Sequence, residues 1–180
     1  RAYGDPRRTV GDSYVDLLRA LLAPHGVPVL DASHPAVLMA GRPVLQDALG
    51  SAPAIERALR ERTEALRAAG FEPQVEDMPG LALVFARDGA RKRRLAVDER
   101  VADGVVLTPN VLLRPIVEHS ILPTVAYWAG PGELAYFAQV SAVAAAMGRL
   151  APLAVPRWSC TLLEPHVEAV LGRLGLQRQD

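Results

Sequence analysis

Two stretches, Thr124-Val-Ala-Tyr-Trp-Ala-Gly-Pro-Gly-Glu133 and Leu153-Ala-Val-Pro-Arg-Trp-Ser-Cys-Thr161, decide how this chain is read. In each, a short apolar run gives way to a corner of Gly, Pro, Ser or Thr, where a strand stops and a helix can start. The spacing predicts a strand over 124–128, a helix over 131–148, a second strand over 153–157 and a closing helix over 162–174. Strand, helix, strand, helix in that order calls for a parallel sheet covered by helices, with right-handed crossovers. Ligands of such sheets sit beyond the C-terminal ends of the strands, where helix N-termini present unpaired N–H groups and a positive dipole end.

Towards the N-terminus, Thr9 stands three residues before Asp12 and reads as a helix cap, with Tyr14, Leu17, Leu18, Leu21 and Leu22 on one face. Residues 24–26 end that helix, and 27–31 reads as a short buried strand carrying Asp31 at its C-terminal edge. Residues 33–50 read as two helical pieces broken at 41–43, and Ser51 as the cap of a helix that stops at Gly70, with Ile55, Leu59 and Leu66 inward. Strands are expected over 71–76, 81–87 and 92–97, the last two joined by a turn at Asp88-Gly89, making a small antiparallel β appendage. Thr108-Pro109 is expected to open a helical stretch over 110–122 interrupted at Pro115. The expected division is 1–70, an α/β and helical segment; 71–107, the appendage; and 108–180, the β-α-β-α part.

At 180 residues and 50% hydrophobic content the chain can bury a real core. Its 20 basic and 20 acidic residues cancel, so no global field favours nucleic acid or an anionic membrane. The lone Cys160 excludes an internal disulfide and a multi-cysteine zinc site, compatible with a reducing, cytoplasmic setting. No apolar run is long enough to span a bilayer.

Gly130-Pro-Gly132-Glu-Leu-Ala135 fits the dinucleotide fingerprint G-x-G-x-x-A after a strand and before a helix. The next strand ends in Val155-Pro-Arg157 instead of the acidic residue a ribose would need, and Pro131 removes an N–H, so a tight corner or another kind of anion site competes with that reading. Glu133 suits the dipole of a first helical turn. Arg157, with Ser159 and Thr161 beside it, could hold a carboxylate or phosphate, although Thr161-Leu-Leu-Glu164 also reads as a capping box that would occupy two of those side chains. Tyr136 and Gln139 lie a turn further along, placed to reach a ligand or to cover the sheet. Asn110 and Arg114, four apart, would share a helix face. Glu118 and His119 are adjacent and cannot face one point, and the four histidines show no metal-ligand spacing, so no metal site is expected. The basic cluster of Arg87, Arg91, Lys92, Arg93 and Arg94 reads as a solvated hairpin tip.

Thr108-Pro-Asn-Val-Leu-Leu-Arg-Pro115, Leu122-Pro-Thr-Val-Ala-Tyr127, Gly130-Pro-Gly-Glu-Leu-Ala-Tyr136, Ala138-Gln139, and Val155-Pro-Arg157 through Thr161-Leu-Leu-Glu164 together resemble the cysteine-adding enzymes of bacillithiol synthesis, the cysteine ligases. The resemblance implies a Rossmann-like core akin to class I aminoacyl-tRNA synthetases, of which this chain is a C-proximal piece. It implies a reaction that joins cysteine to glucosaminyl-malate by an amide, with ATP activating the carboxylate, and a homodimer formed through a coiled coil beyond this chain. Asn110, Arg114, Gly130, Gly132, Glu133, Tyr136, Gln139, Arg157, Ser159 and Thr161 are the candidate site residues under it. The family's Gly-Gly-Pro and acidic-histidine motifs have no counterpart here, so the 180 residues are expected not to catalyse alone. Glu118-His119 also stands where the family often has a Gln-acid pair. A different class remains open beside the ligase: a non-catalytic nucleotide- or sugar-phosphate-binding α/β module, or a structural piece of a longer chain.

Overall fold

Helix α1 (Val10–Leu22) starts where the Thr9 side chain accepts the Asp12 N–H and Asp12 reaches back to the Thr9 backbone, the reciprocal box its sequence called for. The computed structural model describes Gly4 and residues 7–89 and 91–176; residues 1–3, 5, 6, 90 and 177–180, at the outer ends of the chain and one position of the hairpin tip, lie outside the described residues. A 3-10 turn (Ala23–His25) follows α1 and closes at Gly26, whose φ of 68° is the left-handed geometry glycine accepts without strain.

The strand expected over 27–31 does not form. Val27 and Leu30 are exposed, Pro28 has no N–H to give a ladder, and Asp31 is engaged in a local turn with the Ser33 N–H and hydroxyl. The break expected at 41–43 is also absent, because α2 (Pro35–Gly50) runs unbroken through Pro43. Pro43 releases the carbonyl of Met39, and Met39 lies on the solvent side, where water can satisfy that oxygen. Gly41 faces inward instead: a Cβ there would stand 2.9 Å from Val117 Cγ1, so only glycine lets α2 approach the helix beneath it.

Helix α3 (Ala52–Ala68) buries Ile55, Leu59 and Thr63, and Ser51 precedes it without a side-chain capping bond. Residues 71–76 form no strand. Strands β1 (Leu81–Asp88), β2 (Arg91–Ala96) and β3 (Val106–Pro109) make a three-stranded antiparallel sheet in the order β2-β1-β3, so the 108–109 segment is the end of a strand and not the start of a helix. Pro109 sits at the last position of an edge strand, where its missing N–H costs no ladder bond.

Helix α4 (Arg114–Ile121) begins with Pro115 in its first turn, the position at which proline is preorganised rather than disruptive. β4 (Ala126–Ala129), α5 (Pro131–Ala146) and β5 (Leu153–Pro156) then form the expected β-α-β, with β4 and β5 parallel and Tyr127 opposite Ala154. Tyr127 and Ala129 point to α5, where Tyr127 packs on Phe137 with ring centroids 5.1 Å apart. The opposite face is open, with Trp128 and Leu153 each 66% exposed. Helix α6 (Pro165–Arg173) starts three residues later than expected. Pro165 fixes the first turn, and the residue before a proline is disfavoured in helical geometry, so the capping box read at Thr161-Leu-Leu-Glu164 does not form.

One core cluster joins these parts, drawing Leu45 from α2, Leu59 from α3, Val84 and Leu95 from the antiparallel sheet, Leu113 and Ile116 near α4, and Val140 and Val143 from α5. No helix among the described residues is long and apolar enough to cross a membrane.

Candidate functional site

The corner between β4 and α5 is built by Glu133. Its Oε2 accepts the Gly130 N–H at 2.9 Å and its Oε1 accepts the Tyr127 hydroxyl at 3.1 Å. These bonds fasten the first turn of α5 to the end of β4. They also mean that the helix N-terminus carries its own tethered anion. The bond from Gly130, then that from Tyr127, with Arg114 and Arg157 nearby, hold the Glu133 carboxyl below the usual carboxylate range despite partial burial.

Arg114 is the hub. Its Nη2 donates to the hydroxyls of Tyr127 and Tyr136, 3.3 Å to each, and lies 3.5 Å from Glu133 Oε1; its Nε stands 3.8 Å from Glu118 Oε1. Burial opposes its charge, but the two tyrosines and Glu118 outweigh that and raise its pKa further. Burial is the main influence on Tyr127 as well, whose hydroxyl is pushed up to about 12, so it stays a hydrogen-bond donor at neutral pH. Glu118 is raised by burial and by the neighbouring Glu133 charge, against the pull of Arg114. Two carboxylates of unlike environment thus flank one guanidinium.

Arg157 follows β5, and its backbone N–H donates to the Ala129 carbonyl at 2.8 Å, continuing the parallel ladder. Its guanidinium lies across Gly130: a Cβ at that glycine would stand 2.7 Å from Nη2. No carboxylate lies within ion-pair distance of it among the described residues. It opens onto a cleft of about 600 Å³ whose walls include Val75, Val111, Gly132, Glu133 and Tyr136. A larger cavity of about 870 Å³, lined by Arg114 and bordered by α2, α4 and the antiparallel sheet, shares Val75 and Val111 with the cleft.

The structure brings together Arg114, Gly130, Gly132, Glu133, Tyr136 and Arg157. Asn110 belongs to the same neighbourhood in a different way: it precedes α4 and does not share a helix face with Arg114, and its Oδ1 accepts the N–H groups of Leu112 and Leu113 at 3.1 and 3.0 Å. Gln139 is fully buried, accepting the Val75 N–H at 3.1 Å and donating to the Val75 carbonyl at 2.7 Å, so its amide is occupied by backbone. Ser159 and Thr161 are exposed in irregular chain and line neither opening with Arg157. Sequence reasoning missed Tyr127 and left Glu118 unassigned. The alternation of β4, which points Tyr127 and Ala129 to one side, was the signal for the first; Glu118 stands one helical turn after Arg114, a spacing that was readable. His119 turns away and its Nδ1–H donates to the Thr124 carbonyl at 2.8 Å. Among the described residues no group of three His, Cys, Asp or Glu side chains could hold a metal ion.

Comparison with known proteins places this geometry. The sequence model of "Bacillithiol biosynthesis BshC, N-terminal Rossmann-like domain" matches residues 102–158, which hold β3 to β5 and the whole Arg114 hub. A "Putative cysteine ligase BshC" of Solibacter usitatus is 34% identical over 96% of this chain and 36% of the relative. The protein of the same name in Koribacter versatilis is 36% identical over 97% of this chain and 36% of the relative. Along nearly its whole length the chain matches BshC proteins. Its α/β fold is accordingly Rossmann-like, with β4-α5-β5 as its parallel part and the antiparallel sheet as an addition. A BshC-named protein of Geobacillus thermodenitrificans, 30% identical over 98% of this chain, again has only 36% of its length covered, so the chain spans about a third of the relatives it matches.

Proposed function

We propose that this chain forms part of a cytoplasmic ligase of bacillithiol biosynthesis that joins cysteine to glucosaminyl-malate, using ATP to activate the cysteine carboxylate. The balanced chemistry runs in two steps. A carboxylate oxygen attacks a phosphorus of ATP and expels ADP or pyrophosphate; the sugar amine then attacks the acyl carbon, loses a proton, and expels phosphate or AMP. Similarity to the BshC proteins supports the reading, and the observation that carries it is the Arg157 guanidinium laid over Gly130, with no carboxylate in ion-pair distance among the described residues and open to a cleft beyond the ends of β4 and β5. A guanidinium there binds a carboxylate and stabilises negative charge developing on an acyl oxygen. Arg114, held by two tyrosines and two carboxylates, keeps the wall behind it in one arrangement. A homodimer formed through residues outside this chain belongs to the same proposal.

The test uses a protein of the relatives' full length that contains this sequence, incubated with cysteine, glucosaminyl-malate and ATP and followed by mass spectrometry. Bacillithiol is the expected product, reduced by Arg157→Ala and Arg114→Ala. A folded protein that yields no thiol product with any nucleotide removes the ligase and leaves a binding module.

A further inference from the structure

The larger cavity has a chemistry of its own, set by the face alternation of the antiparallel sheet. Val84, Ala86, Leu95 and Leu107 point into the core. Register then puts Arg94, Phe85 and Thr108 side by side on the other face, and Lys92 and Arg87 side by side on the next rung. This face looks into the cavity of about 870 Å³, whose other wall is aliphatic, from Leu38 of α2 to Val117 and Ile121 of α4. That volume falls within the roughly 300–1,000 Å³ typical of clefts that hold small ligands.

Two features mark it as a site and not a packing defect. Among the described residues two buried side-chain polar atoms lack a hydrogen-bond partner, Thr108 Oγ1 and Arg114 Nε, and both residues line this cavity. The second is charge: Arg87, Lys92, Arg94 and Arg114 line it against the single carboxylate of Glu118. Arg94 Nε donates to the Ala82 carbonyl and Arg87 Nε to the Gly89 carbonyl, while Lys92 Nζ rests 4.2 Å from the centroid of the Phe85 ring; neither Arg87 nor Lys92 has a carboxylate within ion-pair distance among the described residues.

We infer that this cavity binds an organic phosphate, its apolar body against the α2 and α4 side chains and its phosphates on Arg87 and Lys92, with the Thr108 hydroxyl bonding the body. Two cations opposite each other on one rung, neither ion-paired to a carboxylate among the described residues, suit a multiply charged group better than a single carboxylate, which one guanidinium would satisfy. A nucleoside triphosphate is the member of that class the proposed ligase consumes, so this inference rests on that reading.

The test measures displacement of a fluorescent ATP analogue in the family-length protein, its fold verified by circular dichroism. The double variant Arg87→Glu, Lys92→Glu is expected to weaken ATP binding by about tenfold or more, the loss of charge-assisted hydrogen bonds. Val37→Trp, which fills the cavity from α2, is expected to weaken ATP and adenosine alike. Arg91→Glu reverses one charge of the same hairpin outside the cavity lining and is expected to leave affinity within about twofold. Equal losses in Arg91→Glu and the double variant, or ATP binding untouched by Val37→Trp, would overturn the assignment. Bacillithiol formation with an unaltered KM for ATP in the double variant sinks the cavity assignment and spares the ligase. Nucleotide binding that responds as expected, in a protein that makes no product, does the reverse.

Discussion

Gly130→Ala separates the proposed role of Arg157 from the stability of the corner. Gly130 has φ −73° and ψ 170°, a conformation open to alanine, so the backbone cost is that of replacing glycine by alanine at an N-cap, about 0.5–1 kcal/mol. The added methyl carbon would lie 2.7 Å from Arg157 Nη2. Uncrowded carbon–nitrogen contacts need about 3.5 Å, so the guanidinium must withdraw by about 0.8 Å. It is the far end of a flexible side chain, and the fold can absorb that movement. A charge-assisted hydrogen bond cannot, because it is confined to short distances and contributes about 1.5–3 kcal/mol, or about 10- to 150-fold in affinity. In the family-length protein, Gly130→Ala is therefore expected to raise KM for a carboxylate substrate by about that factor while the melting temperature falls by no more than about 4 °C. Gly172→Ala is the control, since a Cβ there meets nothing within 4 Å and the residue lines neither opening, and it is expected to leave substrate affinity at the parent's value. Unchanged substrate affinity in Gly130→Ala, or equal losses in the two variants, would refute the reasoning.

Other substitutions test the surrounding architecture. Asn110→Ala removes the acceptor of two N–H groups and is expected to cost about 1–2 kcal/mol in urea denaturation, whereas Asn110→Asp keeps the acceptor and most of the stability. Gly41→Ala forces a methyl against Val117 and is expected to destabilise by about 1–3 kcal/mol on the same assay. Glu118 has a folded pKa above its unfolded value, so its contribution favours folding below the unfolded pKa and is lost as pH rises through the folded one. Glu118→Gln is expected to flatten that fall, seen as a smaller drop in melting temperature between acid and neutral pH than in the parent; an identical pH profile would contradict the burial argument.

The parts of the fold that could be read from the residues are those set by local chemistry. The Thr9 box, the Asp88-Gly89 hairpin and the β4-α5-β5 alternation each depend on neighbours within a few residues, and all three form. The errors arose where distant packing decides. Residues 27–31 have strand-forming side chains but no partner strand to pair with, and Pro43 stays helical because its orphaned carbonyl faces water. At 108–109, pairing with Val84 and Phe85 of β1, remote in sequence, outweighed the local helix-start signal. The site followed the same rule: the Gly130 corner and its Glu133 were visible, while the convergence of Arg114, Tyr127 and Tyr136 exists only after α4 and α5 meet.

Gln139 exchanges both an N–H and a C=O bond with Val75, so one side chain does for residues 71–80 what a neighbouring strand would otherwise do. The far end of that segment is tied by the Gly80 N–H to Glu56 and by the ion pair of Arg60 with Asp77. Between these fastenings the segment can open as a local unit without unravelling the core. Val75 forms part of the wall of both openings, so a single fluctuation there would change the shape of the cleft and the cavity together. Slow amide hydrogen exchange at Val75, accelerated by Gln139→Leu, would time that motion; a ligand that slows it from one side would be felt on the other through mobility alone, with no shift in the mean positions of the residues between.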